Sequence, residues 1–435
     1  MAAGSFRRAS LGLAAATALF ATSIASGAGE RFPEIVLRSF APTAVHRDAR
    51  RFQLADFDAR RNRVLFYPEG DFPFPIFERH PTALGVLLVH DARGGFADPA
   101  SYRAYDLKRL VSPHAGGFCG GFLDRKGDFA YLAPLYDIER GKGLFHGLHS
   151  IANGLAVKID LAKPLDDPRA YRSFDIAALG ISPLGYCHGT EADGYAYFGP
   201  AGTGEMFGDF NGTFLRYDER KDFADKAAWQ WFDLKRIDAD AAGFQAVAYV
   251  APYVYLVPHF RPAIVRYDTR QPFNSAAAYQ AFDLSAVTRE PRGLCGVVVA
   301  GKTLVFPPLI DPKHVRTIGT ALAYDTSKPL HDASAWRALD LAKVHPRAAG
   351  YQFGWADRNG FVWLVPDSTV FHRVPPLVAW NSRLPFDDPR SWKAYPTEGR
   401  IPPSTGAAYD PAANRAWLAP YGDSKTFDIV EIEER

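Results

Sequence analysis

Histidine, glutamate and arginine residues that interrupt a repetitive pattern are the side chains of this sequence best suited to chemistry. We predict His188, Glu191 and His259 as catalytic, because imidazole and carboxylate groups can exchange protons near neutral pH. A second group, predicted to bind a ligand, consists of His114, Arg261, Arg292, His345 and Arg347. Histidine and arginine suit anionic or hydroxylated ligands. Any one of these residues could be an ordinary polar loop residue, so the hypothesis depends on their clustering.

Familiar catalytic motifs are missing from the sequence. It contains no nucleophile elbow, no HExxH pair, no phosphate-binding glycine loop and no CxxCH haem attachment. Their absence excludes little, since an enzyme that collects one catalytic residue from each repeat leaves no local motif. No cofactor and no metal are assigned from the sequence.

The elements that must position these residues are given by internal repeats. One phrase, an acidic turn followed by an aromatic strand, occurs six times, at Phe96–Leu107, Leu165–Ile176, Phe223–Leu234, Phe273–Leu284, Leu330–Leu341 and Phe386–Thr397. A proline-ended aromatic stretch occurs seven times, at Arg63–Pro68, Phe129–Pro134, Tyr195–Pro200, Tyr253–Pro258, Thr303–Pro307, Phe361–Pro366 and Arg415–Pro420. Aromatic and β-branched runs bounded by Gly, Asp and Pro predict short strands.

Each repeat supplies four strands, and no helical spacer separates them. Seven such units predict an all-β fold, a seven-bladed β-propeller of four-stranded antiparallel blades. The seventh unit ends at Arg435 without a fourth strand. We therefore expect the N-terminal stretch Ile35–Phe40 to complete the last blade, which avoids an unpaired sheet edge.

These repeats resemble the seven-bladed β-propeller repeat proteins of bacterial exported type. The resemblance covers about residues 33–435, but no specific family is assigned, because the WD dipeptide and the paired glycines of kelch repeats are missing. It implies a fold and no substrate.

Turn residues that recur in most of the seven units are predicted to be structural. Acids follow the third strand at Asp91, Asp160, Asp218, Asp268 and Asp325, where they suit turns. Another column is predicted to cap short helical turns and contains Asp98, Asp167, Asp225, Ser275, Asp332 and Asp388. The aromatic residue after each cap is expected to fold back onto its own blade.

One column on the first strand of each unit is predicted to line the central channel. Its members are Gln53, Cys119, Cys187, Gln245, Cys295, Gln352 and Thr405. The three cysteines could form a metal or redox site, but no zinc-type spacing exists, and we favour a role as small apolar fillers. We expect the α-carbons of Cys119 and Cys187 to lie beyond the roughly 7 Å that a disulfide can bridge.

The candidate ligand site is expected where long loops meet on one face. Residues 69–84, 135–155 and 201–212 form the longest of these loops. Besides the residues already named, the loops after the proline-ended strands carry Asp71, Tyr136, Asp137, His146, His149, Glu205, His314, Arg316, His372 and Arg373. Loops on a rigid scaffold commonly carry function.

The first 28 residues predict an export signal. Arg7 and Arg8 precede an apolar run from Leu11 to Ile24, and Ser26 and Ala28 suit cleavage. We expect residues 29–435 to form one propeller domain, located in the periplasm or outside the cell after export by the Sec or the twin-arginine route. The formal charge of +2, with basic residues spread along the chain, argues against nucleic-acid binding. A monomer without a membrane span is expected.

Three functions remain open from the sequence. The first is an exported propeller that binds a small molecule or glycan on its loop-rich face, without catalysis. The second is a propeller enzyme, a hydrolase or lyase with or without a metal ion, with its site at the channel mouth. The third is a platform for protein interaction, which would need a large apolar patch on that face.

Overall fold

The structure is a computed structural model that describes residues 31–71, 82–136, 154–181, 185–201, 210–311, 314, 316–367, 374–397, 399–421 and 427–435. The chain divides into two units, Met1–Pro33 and Glu34–Arg435. All described strands lie in the second unit. Within the described ranges, no helix is long and apolar enough to cross a membrane.

Short β-strands make up almost all of the regular structure. The strands are β1 Ile35–Phe40, β2 Phe52–Asp58, β3 Arg63–Pro68, β4 Gly70–Asp71, β5 Thr82–Ala83, β6 Val86–Asp91, β7 Tyr102–Asp106, β8 Phe118–Leu123, β9 Phe129–Pro134, β10 Leu155–Asp160, β11 Tyr171–Asp175, β12 Tyr186–Ala192, β13 Tyr195–Pro200, β14 Thr213–Asp218, β15 Trp229–Asp233, β16 Phe244–Val250, β17 Tyr253–Pro258, β18 Ala263–Asp268, β19 Tyr279–Asp283, β20 Val298–Ala300, β21 Thr303–Phe306, β22 Ile310–Asp311, β23 Arg316–Thr317, β24 Thr320–Asp325, β25 Trp336–Asp340, β26 Tyr351–Ala356, β27 Phe361–Pro366, β28 Leu377–Asn381, β29 Trp392–Tyr395, β30 Ser404–Asp410, β31 Arg415–Pro420 and β32 Ile429–Glu434. The one described α-helix is Leu107–Leu110. Turns of 3-10 helix are Pro42–Ala44, Pro99–Ser101, Pro168–Ala170, Ile176–Leu179, Lys226–Ala228, Leu234–Arg236, Ala276–Ala278, Leu284–Ala286, Ala333–Ala335, Leu341–Lys343 and Pro389–Ser391.

The strands assemble into antiparallel sheets that follow the sequence repeats. Five sheets have four strands each, in the orders β2-β3-β6-β7, β16-β17-β18-β19, β20-β21-β24-β25, β26-β27-β28-β29 and β1-β32-β31-β30. One sheet has eight strands and contains two antiparallel sets, β8 to β11 and β12 to β15. These two sets join at a single parallel pair, Cys119 with Cys187. The pairs β4-β5 and β22-β23 form small separate hairpins.

The predicted closure by the N-terminal strand is confirmed. β1 pairs antiparallel with β32, with Ile35 opposite Glu434 and Phe40 opposite Ile429. The Phe40 ring stacks on Tyr102 of the next sheet at 4.0 Å. Phe174 stacks on Trp229 in the same way, at 4.8 Å. β1 therefore packs as the outer strand of an ordinary repeat.

The hydrophobic core lies between neighbouring sheets. The proline-ended strands are buried on both faces, which explains why they read as continuous apolar runs rather than alternating ones. Large rings fill the space between sheets; the fully buried Trp417 of β31, for example, packs 5.7 Å from Phe57 of β2.

The turn residues behave as the repeats predict. In five turns an aspartate side chain accepts the capping hydrogen bond, and only the Ser275 turn lacks it. In all six copies the aromatic side chain after the cap donates a hydrogen bond to the backbone carbonyl six residues before it. The Tyr102 hydroxyl, for example, donates to the Phe96 carbonyl at 2.9 Å. The acids after the third strand accept backbone N–H groups two residues on, as Asp218 does from Arg220. These columns are structural.

Candidate functional site

Two rings of residues define the end of the fold at which the inner strands begin. The inner strands are the first of each repeat, β2, β8, β12, β16, β20, β26 and β30. One ring is the predicted column of Gln53, Cys119, Cys187, Gln245, Cys295, Gln352 and Thr405. The other, here called the mouth ring, consists of the residues that follow the proline-ended strands, Glu69, Leu135, Ala201, His259, Leu309, Asp367 and Tyr421.

A shared backbone hydrogen bond places the mouth ring. In six of the seven members the N–H donates to the carbonyl directly before the inner strand of the same repeat. Leu309 donates to Gly293, the matching residue two positions before Cys295. Glu69 bonds to Arg51 at 3.2 Å, His259 to Gly243 at 3.1 Å and Asp367 to Gly350 at 2.9 Å. The ring therefore lies level with the start of the inner strands, on the face that also carries the loops leading into each repeat.

The predicted channel column sits at a β-bulge that sequence reasoning did not foresee. The ladder register shifts between Phe52 and Ala55, between Tyr186 and Gly189, and at the matching place in four other inner strands. A bulge takes residues out of the ladder and redirects their side chains. Here the freed side chains form contacts between neighbouring repeats.

Those contacts link the inner strands around the ring. Thr405 donates its hydroxyl hydrogen bond to the Phe52 carbonyl at 2.9 Å. Cys295 donates its thiol hydrogen bond to Gln245 Oε1 of the preceding repeat. All members of the column are buried except Gln245, which is half-buried. The geometry is consistent with a wall that holds repeats together.

The expected separation of the cysteines was wrong. Cys119 and Cys187 form a disulfide, with α-carbons 4.6 Å apart. The two inner strands approach this closely because Cys119 and Cys187 are the parallel pair that joins their sheets. Cys295 is a buried thiol outside the disulfide.

Three bulky residues narrow the channel just inside the mouth. Leu54, His188 and Phe353, here called the channel plug, follow the column residue in their strands and have positive φ angles of 70°, 56° and 50°. The His188 and Phe353 rings, from repeats that are not neighbours, lie 5.2 Å apart. Bulky residues rarely adopt this conformation, and such strain is concentrated at functional sites.

Glycines at the same level make room for the plug. A Cβ at Gly296 would lie 2.4 Å from the backbone nitrogen of Phe353, and one at Gly406 would lie 2.4 Å from the Leu54 side chain. Large and small residues thus alternate around the channel.

The three residues predicted as catalytic are not brought together. Nδ1 of His188 accepts a hydrogen bond from the Val247 N–H at 3.2 Å. The Nδ1–H of His259 donates to the Leu294 carbonyl at 3.0 Å. Glu191 lies beside the hairpin at the far end of β12, where it accepts from the Gly194 N–H. No described hydrogen bond, ion pair or ring contact joins any two of them.

The residues predicted to bind a ligand are spread over the loops of the mouth face. Arg261 pairs with Asp240 at 3.2 Å. His345 accepts a hydrogen bond from the Arg347 N–H through Nδ1, and the N–H of His114 donates to Ser112 Oγ. His46 makes the same turn contact as His345, so this histidine occupies a structural column. Arg292 is half-buried.

Several predicted loop residues fall outside the described part of the chain or are only partly described. Asp137, His146, His149, Glu205, His372 and Arg373 lie outside the described residues. The side chain of Asp71 is likewise not described. His314 and Arg316 are described: His314 Nδ1–H donates a hydrogen bond to Asp311 at 2.6 Å, and Arg316 forms an ion pair with Asp311 at 3.6 Å.

A polar cluster in the mouth ring was missed by the sequence reasoning. Glu69, Asp367 and Tyr421 are only 6%, 1% and 8% exposed. Burial raises the pKa of Tyr421 well above its usual range, and the charges of Glu69 and Asp367 raise it further while Arg51 lowers it. The Tyr136 hydroxyl donates to the Glu69 carbonyl at 3.3 Å. Two carboxylates, two phenols and a guanidinium therefore surround one side of the mouth.

A signal for this cluster exists in the sequence. Sister positions of the mouth ring hold Leu135, Ala201 and Leu309, so the fold tolerates apolar residues there. Glu69, Asp367 and Tyr421 break that column. Within the described residues, no group of three or more His, Cys, Asp or Glu side chains has the geometry to hold a metal ion.

Comparison with known proteins identifies the fold. No family model and no curated protein sequence matches the chain. A solved structure described as a streptogramin B lyase aligns over 92% of this chain and 98% of its own, with a TM-score of 0.56 and 9% identity. The RRP9 WD40 repeats align over 92% and 100%, with a TM-score of 0.55 and 6% identity. The chain is a β-propeller. At identities of 9% and 6%, the structural similarity shows the fold and nothing about function.

The disulfide gives a direct test of the propeller's inner wall. Because the two cysteines are 68 residues apart, the chain-entropy argument predicts that the bond contributes about 4 kcal/mol to the free energy of unfolding. Alkylation of the unfolded, unreduced protein should label one thiol per chain, and three after reduction. Three labelled thiols without reduction would contradict the assignment.

His259 should make the protein less stable in acid. Burial lowers its pKa from 6.5 to about 4, so the folded state keeps it neutral while the unfolded chain takes up a proton. The free energy of unfolding should fall between pH 6.5 and about pH 4, by up to about 3 kcal/mol from this residue.

Urea unfolding at pH 7 and pH 4.5 measures this effect. The variant His259→Asn keeps a donor for the Leu294 carbonyl but has no group that titrates in this range, so it should lose less stability on acidification than the wild type. Equal losses in the two proteins would refute the role of His259.

Proposed function

We propose that the protein is an exported propeller whose mouth binds a small polyhydroxylated molecule or glycan, without catalysing a reaction. This proposal is supported by the polar residues Glu69, Asp367 and Tyr421, which occupy mouth-ring positions that are apolar in other repeats. The repeats themselves do not require these residues, as the sister positions show. Carboxylates accept hydrogen bonds from neighbouring hydroxyl groups, and a phenol can both donate and accept.

We propose further that the propeller has seven blades, with the eight-stranded sheet counted as two. Its two antiparallel sets each match one sequence repeat and meet at a single residue pair. Location in the periplasm or outside the cell is proposed from the N-terminal pattern, and a disulfide suits an oxidising compartment. A monomer that binds no nucleic acid also remains a proposal.

Binding is favoured over the two alternatives by the placement of residues. An enzyme built on His188, Glu191 and His259 would need these groups at one place, and their contacts lie apart. A protein-interaction platform would need a continuous apolar patch on the mouth face. Among described residues, the exposed large apolar side chains are Trp231, Val299 and Leu384, which belong to three different repeats.

A titration with defined glycans tests the proposal. Neutral and uronic-acid oligosaccharides would be titrated into the purified protein by calorimetry. We expect at least one class to bind, and the double variant Glu69→Gln/Asp367→Asn to weaken that binding about tenfold or more, because each amide replaces a charged acceptor.

The matched control is Asp387→Asn, which changes an exposed carboxylate on the turn between β28 and β29. It should bind as the wild type does. Failure of every oligosaccharide to bind, or equal binding by the wild type and the double variant, would refute a glycan site at the mouth.

A further inference from the structure

A cavity between the second and third repeats is lined by more cationic than anionic side chains. It measures about 160 Å³, several times the roughly 30 Å³ that one water occupies in the liquid. Five of its lining residues are cationic, Lys158, Lys163, Arg169, Arg172 and Lys221, and two are carboxylates. It lies toward the ends of β10 and β14 that point away from the mouth ring.

The third and fourth repeats show a different arrangement at this position. Arg216 of β14 and Arg266 of β18 correspond to Lys158 of β10. Each arginine donates from Nε to a glutamine on the adjacent strand, Gln230 or Gln280, at 2.8 Å. Each guanidinium also reaches a tyrosine hydroxyl of the next repeat. In those repeats the cation is satisfied by neutral partners.

The second repeat departs from this arrangement on both strands. A lysine replaces the arginine, and the residue opposite it in the ladder is Arg172 instead of glutamine. Like charges directly opposite each other destabilise a sheet. The blade does not require two cations at this pair. The third and fourth repeats use arginine and glutamine, and the first, fifth and sixth place Val89, Ala323 and Ala379 opposite a cation.

Lys158 is buried in this cavity with only 9% of its surface exposed. Its Nζ lies 3.7 Å from the centre of the Phe129 ring and donates a hydrogen bond to the Tyr217 hydroxyl at 3.4 Å. Burial lowers its pKa, while the charges of Glu219, Asp124, Asp160 and Asp222 raise it. A buried ammonium is costly unless an anion compensates it.

Not all of the cations have a carboxylate partner. Lys163 pairs with Asp160 at 3.0 Å, and the largely exposed Arg169 pairs with Asp167 at 2.7 Å. In the part of the chain that the structure describes, Lys158, Arg172 and Lys221 form no ion pair within 4 Å. Among the residues that line the cavity, five cations face two carboxylates. Glu219 and Asp124, which are not lining residues, also lie close enough to act on the charge of Lys158.

We propose that this cavity binds a small tetrahedral oxyanion, phosphate or sulfate, either free or carried on an organic ester. Lys158 would supply the buried charge, and Arg172 and Lys221 the donors at the rim. Bound anion would remove the repulsion between Lys158 and Arg172. The site is separate from the mouth, so it does not rest on the glycan proposal.

Calorimetry with inorganic phosphate and sulfate at low ionic strength tests this site. The double variant Lys158→Arg/Arg172→Gln copies the residues of the two sister repeats, so it should fold, and it should bind either anion about tenfold more weakly or worse. The single variant Arg266→Lys, at the matching place two repeats on, should bind as the wild type does.

A phosphate monoester such as glucose 6-phosphate distinguishes the two sources of the anion. Tighter binding of the ester than of inorganic phosphate supports an ester ligand, and equal or weaker binding supports the free ion. If the wild type binds none of these probes, or if the folded double variant binds them unchanged, the proposal is overturned. Neither result affects the mouth, which Glu69→Gln/Asp367→Asn tests separately.

Discussion

Closure of the ring by the pairing of β1 with β32 is the constraint on which the other features depend. The seventh repeat supplies three strands, and the chain reaches back over almost its whole length to bring Ile35 opposite Glu434. Arg38 then forms ion pairs with Glu431 and Glu433 of β32, at 3.0 and 2.9 Å. Without this strand the last sheet would expose a row of unpaired backbone groups, and the first repeat would lose the Phe40 ring from its outer aromatic stack.

A closed ring fixes the distances across its centre, and the inner strands use this in two ways. Their bulges direct buried side chains toward neighbouring repeats, which produces the Cys119–Cys187 disulfide and the contact between Cys295 and Gln245. The same bulges force the plug residues into a strained backbone conformation, so that His188 and Phe353 meet across the channel. The plug would therefore form the floor of the ligand site that we propose at the mouth.

Much of the fold could be predicted from the sequence, because the repeats act as their own control. The proline-ended strands, the capped turns and the closing strand follow from local chemistry that recurs six or seven times. The disulfide could not be predicted, since it depends on the bulges and on the parallel pairing of Cys119 with Cys187, which no local pattern in the sequence indicates. The polar mouth cluster could have been predicted, because Glu69, Asp367 and Tyr421 are polar at a position of the repeat where Leu135, Ala201 and Leu309 are apolar. The Lys158 cavity needed the structure to show that Arg172 faces the lysine.

Hydrogen exchange of the closing strand, followed by mass spectrometry, tests ring closure most directly. The account predicts that peptides covering residues 35–40 exchange as slowly, within about tenfold, as peptides from the proline-ended strands, because β1 opens only when the whole ring unfolds. Exchange of residues 35–40 at the rate of a frayed terminus, while the other repeats stay protected, would contradict the account.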